Sequence, residues 1–188
     1  MDAIEIFFAA YGVLLALAVA KLLSGAARLI RGRAMIRIGW ATPLLMLLLL
    51  LDICSFINSA SRLMGLADLS LRIVTVGIVA SGLYYLVAAL AAPDDLADWP
   101  NLDAYYDRHK HLVLGGMTLA SLIGFELSAV LVKGFTETLQ ARWMGLQATL
   151  LATFYLLVIT LFIIRNRAVN IVLLAMLNAI FLVVMFTF

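Results

Sequence analysis

Apolar residues in this chain fall into long runs, separated by short stretches rich in charge, glycine or proline. A bilayer core about 30 Å thick is crossed by about 20 helical residues, and most of these runs reach that length. Their limits predict six transmembrane helices, near residues 4–28, 38–60, 70–92, 111–132, 143–164 and 168–187. Short connections join them into a single all-α domain over residues 1–188, a polytopic membrane helix bundle. The longest connection, Pro93 to Lys110, holds Asp94, Asp95, Asp98, Asp103 and Asp107. Pro93 ends the third span there. Asp94 or Asp98 is expected to start a short helix that sets Trp99, Leu102, Tyr105 and Tyr106 at headgroup level.

Composition agrees with the pattern. The chain is 65% hydrophobic and 13% charged, against roughly 45–50% and 25% for soluble domains. An ordinary soluble domain and a disordered chain are both excluded. A net charge of +2 is too small to mark a nucleic-acid partner. Cys54 is the single cysteine, so neither an internal disulfide nor a cysteine metal site is expected. The opening Met1-Asp2-Ala3-Ile4-Glu5 lacks the positive segment of a secretory signal, so the first apolar run is expected to stay as a helix.

Basic residues are retained on the cytoplasmic side of a membrane, which fixes an orientation. With both termini on the outer side, the inner loops hold Arg28, Arg31, Arg33, Arg37, Arg108, Lys110, Arg165 and Arg167. The outer loops hold Arg62, Arg72, Lys133 and Arg142, half as many. Both termini are therefore expected outside.

An ionisable group at membrane depth costs at least about 2.5 kcal/mol on insertion scales and calls for a reason. Lys21, Asp52 and Glu126 are the three at depth. Asp52 and Glu126 lie on spans of the same direction, each about 5 Å outside the midplane. They are expected to converge in one cavity or share a proton, because like charges at close range disfavour joint ionisation. Asp52, Ser55, Asn58, Ser59 and Arg62 occupy a stripe about 120° wide at 100° per residue. Ser55, Asn58 and Ser59 either line a water path to Asp52 or tie helices together by hydrogen bonds. Glu126 shares a face with Gly115, Thr118, Ala129 and Lys133, which suits either a tight helix contact or proton and cation coupling. Lys21 lies on one face with Ser24 and Arg28, and is expected to snorkel to the cytoplasmic headgroups. The threonines of the fifth span and Asn166, Asn170 and Asn178 are expected to satisfy one another or their own helices.

Arg28, Arg31, Arg33 and Arg37 form the densest charge cluster, a topology signal and a candidate contact for anionic lipid. The aspartates of the next inner loop are candidates to pair with them, Asp103 with Arg31 for instance. Asp103, Asp107 and His111 have metal-ligand spacing on a helix, but the spacing is generic and a solvated face is the expectation. No metal or cofactor is expected, and neither histidine is deep enough for a haem within the bundle. Hydrolase, zinc-protease and nucleotide-binding signatures are missing, which disfavours an enzyme.

Gly12 to Leu29, Leu83-Tyr84-Tyr85-Leu86, Pro93-Asp94-Asp95-Leu96 and Tyr105-Tyr106 together resemble an uncharacterised family of small bacterial inner-membrane proteins, over about the first 115 residues. The resemblance implies a bacterial inner membrane and says nothing about catalysis. Two functions remain open. One is a proton- or cation-linked transporter or channel-like protein using Asp52 and Glu126. The other is a non-catalytic scaffold or accessory subunit in a homo-oligomer or with a partner membrane protein.

Overall fold

A computed structural model describes residues 3–34, 36–61, 71–99, 101–134, 137–138 and 146–187. Among the described residues the chain is helical and forms no strand, apart from an isolated bridge between Arg37 and Asn101. The helices are α1 (Ala3–Gly32), α2 (Ala41–Ser61), α3 (Leu71–Leu90) and α4 (Leu102–Ser121). A π-helical turn, Leu122–Leu127, carries α4 into α5 (Ser128–Lys133), and α6 (Leu146–Ile163) and α7 (Arg167–Thr187) follow. Five spans are long and apolar enough to cross a membrane: Ala9–Gly32, Ala41–Ser59, Leu71–Leu90, Leu102–Val132 and Arg167–Met185. Apolar α6 has 18 residues, or about 27 Å, at the lower end of the crossing range. The chain is thus an all-α polytopic membrane bundle.

Large apolar side chains cover its outside. Leu17, Leu86, Leu112, Leu156 and Val172 are all exposed, as a hydrocarbon solvent requires. Helix contacts in lipid depend on close packing, which small residues allow. α1 lies along α3, and a methyl on its Gly25 would stand 2.9 Å from the Cβ of Ala92, just past the end of α3. α3 also packs on α4, where Val87 fills the space beside Gly116. α2 is held between α4 and α7, and α6 lies beside α7.

The fourth span begins earlier than its hydropathy suggests. α4 starts at Leu102 instead of 111 and continues into the membrane, so no separate helix forms at Asp94 or Asp98. A residue before proline is turned away from helical geometry, so Trp99, before Pro100, is a poor helical position and Asn101 is the first usable cap. The Asn101 side chain accepts from the Ala104 amide at 2.8 Å. Thr42 Oγ1 donates to Leu102 O at 3.2 Å and Tyr105 Oη to Leu90 O at 2.8 Å, which docks this first turn on α2 and α3.

Charges gather at this same end and pair there. Lys21 Nζ and Arg28 Nη2 donate to Asp94 Oδ1 at 3.1 and 3.3 Å, so Lys21 meets a carboxylate of the chain itself. Asp103 and Asp107 hold Arg167, at 3.4 and 2.7 Å. Asp103 is thereby taken by Arg167, and Arg31 instead donates to Ala27 O at 3.3 Å on its own helix. Residue 103 sits on the same side of α4 as 107, facing the start of α7, whereas Arg31 is in the last turn of α1. Lys110 is buried, donating to Ile164 O at 2.7 Å and Leu161 O at 3.3 Å. Those are end carbonyls of α6, so a cation caps the negative pole of that helix. With the Asn170 amide oriented to satisfy both neighbours, it accepts from Lys110 at 3.3 Å and donates to Ile164 O at 3.2 Å.

Candidate functional site

Asp52 lies near the middle of α2, on the side facing α3 and α4, and is 2% exposed. A carboxyl so placed needs donors, because its oxygens have lost water. α3 supplies Tyr84 and α4 supplies Ser121, both buried. Tyr84 Oη donates to Asp52 Oδ2 at 2.9 Å, and Ser121 Oγ donates to the same oxygen at 2.8 Å. The two hydroxyls are 3.2 Å apart, so either can donate to the other in place of its bond to the carboxylate. Three helices therefore meet at one carboxylate oxygen. No cation belongs to the cluster among the described residues.

Phe56, one turn beyond Asp52 on α2, closes the cluster on that side. Its ring centroid is 5.4 Å from that of Tyr11, 5.2 Å from Tyr84 and 5.4 Å from Phe125. Tyr11 Oη also donates to Phe56 O at 3.3 Å, fastening α1 to α2. The ring rests on Gly124, where a Cβ would fall 2.9 Å from Cζ and 3.0 Å from Cδ2 and would overlap Cε2. Gly124 is in the π turn, which starts at the residue after Ser121. π turns within α-helices cluster at functional sites, and here the turn adjoins the carboxyl.

Asp52 is hydrogen-bonded to Tyr84 and Ser121, and Glu126 is not in that set. Glu126 sits half-buried in the π turn, whose extra residue rotates the downstream helix by about 100°. The predicted face joining Glu126 to Gly115 and Thr118 assumed an unbroken α-helix, and the turn breaks that register. Thr118 donates instead to Leu114 O at 2.8 Å within α4. Along α2, Ser55 and Ser59 are half-buried and Asn58 is exposed, while Arg62 lies outside the described residues. Lys133 and Arg142 offer no described side chains.

The other polar groups have structural work. Thr153 and Thr160 donate to Thr149 O and Leu156 O on their own helix, each at 2.7 Å. Asn178 joins α7 to α2 through Leu44 O at 3.0 Å. Asp103 and Asp107 hold an arginine, and His111 packs against Phe162 at 5.5 Å between centroids. Among the described residues no cluster of His, Cys, Asp and Glu has the makings of a metal site.

Tyr84 and Ser121 are the site residues that the sequence pattern does not reveal. Tyr84 is one of two adjacent tyrosines and Ser121 a single serine in apolar runs, and no spacing rule links either to Asp52. The usable signal is the carboxyl's own need for donors from neighbouring helices at its depth.

The fold and this cluster define a multi-pass membrane helix bundle closed around a buried carboxyl. No protein family, curated protein or solved structure matches the chain, so its functional reading rests on its own geometry.

Proposed function

We propose that the protein is a small proton-linked transporter or channel-like protein of a bacterial inner membrane, with both termini outside and Asp52 as its proton-handling group. One observation carries this reading: the partners of the Asp52 carboxyl are hydroxyls and not a cation. The two buried or embedded lysines, by contrast, have structural partners. Lys21 meets Asp94, and Lys110 caps α6. A tie between helices needs only a serine or an asparagine, whereas a carboxyl in lipid carries an insertion penalty of at least about 2.5 kcal/mol. Hydroxyls also both donate and accept, so Tyr84 and Ser121 are suited to serve Asp52 with or without its proton. Glu126, in the adjoining π turn, is the second candidate for the path.

Reconstitution in liposomes with a trapped pH indicator tests the reading. Wild-type protein under an imposed potential should move protons, and Asp52→Asn should insert normally and abolish the flux. Equal flux from both proteins would sink it.

A scaffold or accessory-subunit reading is favoured by a different observation, the closure of the cluster by Phe56, Tyr11, Tyr84 and Phe125. In that case Asp52 is a lock joining α2, α3 and α4, and neither protein conducts.

A further inference from the structure

The geometry points to a bound anionic phospholipid between α1 and α2, with its headgroup on Arg33 and Arg37 and one acyl chain in the groove below them. This site is separate from Asp52 and stands whether or not the transport reading holds.

Two adjoining cavities carry the inference. The first is a groove of about 280 Å³ between α1 and α2, walled by residues such as Leu23, Ala26, Ile30, Pro43 and Leu47. Its lining is apolar, and Leu23, Ile30 and Leu47 remain exposed along it. It follows α1 from Leu22 to Ile30, about 12 Å at 1.5 Å per residue, against about 15 Å for half a bilayer core. The second is a recess of about 430 Å³ lined by Arg33, Ala34, Ile36, Arg37 and Ile38. Ile38 lines both cavities, so the slot and the recess adjoin at that residue.

Charge selects the occupant. Arg33 and Arg37 are exposed and have no carboxylate partner among the described residues. Lys21, Arg28 and Arg167, at the same end, are each paired with aspartate. The recess thus presents two uncompensated guanidinium groups directly above an apolar slot of single-leaflet length. A phosphodiester headgroup with its acyl chain meets both demands, and arginine binds phosphate through paired donors. A zwitterionic lipid matches the slot but brings its own cation to the recess.

Trp40 is exposed two residues after Ile38 and gives a reporter. In a Trp99→Phe/Trp143→Phe background, its fluorescence is measured in nanodiscs with phosphatidylglycerol or phosphatidylcholine brominated high on the acyl chains. Brominated phosphatidylglycerol should quench at low mole fraction and saturate, and brominated phosphatidylcholine should quench only in proportion to its abundance. Each arginine near an anionic headgroup gives about fivefold in affinity, so Arg33→Gln/Arg37→Gln should reduce the preference about 25-fold. Arg165→Gln removes an exposed cation elsewhere and should leave it intact. Ala26→Leu narrows the slot and should weaken the lipid's binding with both arginines present. Soluble glycerophosphate, which lacks the chain, should not displace the lipid. Equal quenching by the two lipids overturns the proposal, as does an equal effect of Arg165→Gln, which would indicate a diffuse field. A change of oligomeric state in Arg33→Gln/Arg37→Gln with lipid preference intact also overturns it, in favour of a protein partner.

Discussion

Gly124→Ala perturbs the packing beside Asp52 by a single methyl. The added carbon would overlap Cε2 of Phe56 and stand 2.9 and 3.0 Å from two further ring atoms, where carbon pairs settle at about 3.5–4.0 Å. The ring would have to retreat by roughly 1 Å, and three aromatic neighbours at 5.2–5.4 Å between centroids hold it in place. Overpacking of this kind costs about 1–3 kcal/mol. Replacing a helical glycine by alanine returns about 0.5–1 kcal/mol through backbone entropy. The net expectation is a loss centred on about 1 kcal/mol and at most about 2.5, or roughly 2–4 °C in thermal midpoint at the centre for a chain of this size. Gly12 and Gly82 supply the internal control, since a Cβ at either has nothing within 4 Å. Gly12→Ala and Gly82→Ala should therefore be neutral or stabilising. Thermal unfolding in detergent, followed by size-exclusion fluorescence, measures all three. Phe56→Leu in the Gly124→Ala protein should recover part of the loss. A neutral Gly124→Ala, or equal losses at all three glycines, would show that the ring does not depend on the missing methyl.

Other perturbations follow the same logic. Tyr84→Phe and Ser121→Ala each remove one donor from Asp52 and should lower stability by about 0.6–2 kcal/mol; the double variant should depart from additivity, read from denaturation in mixed micelles. Lys110→Met leaves the end carbonyls of α6 uncapped, and at about 1.5–3 kcal/mol for a charged donor it should be the most damaging substitution at the charged end, seen as earlier proteolysis of the α6–α7 region. Arg167→Asp should be rescued by Asp107→Arg and not by Asp94→Arg, measured as recovery of the thermal midpoint; rescue by the wrong partner would count against the pairing at that end. The effect is small, about 1 kcal/mol or less, because the Arg167 pair is partly exposed.

The spans were legible because their signal is length and apolarity, which do not depend on neighbours. α3 is apolar on all sides, so its sequence says that it is buried in lipid and protein but not which face meets α4. Tyr84 is fully buried and its neighbour Tyr85 is exposed, and one residue of rotation separates the two outcomes. Asp52 stood out as a charge at depth, and the structure confirms its burial. Its partners did not stand out, since a hydroxyl in an apolar run has many possible roles. The π turn at Leu122–Leu127 has no spacing rule of its own, and it moved Glu126 off the face that regular helical geometry assigned. Lys110 read as a topology marker from its place after the aspartates. It is a helix cap only because α4 begins at Leu102 and brings it against the end of α6.

If Asp52 exchanges a proton within the membrane, its carboxyl must be seen to change protonation there. Infrared difference spectroscopy of the reconstituted protein across a pH titration reads this directly, through the carbonyl band of a protonated carboxylic acid. The expected band rises and falls reversibly with pH, shifts in Tyr84→Phe and is missing in Asp52→Asn. A spectrum in which Asp52→Asn removes no titrating band would rule out proton exchange at this residue.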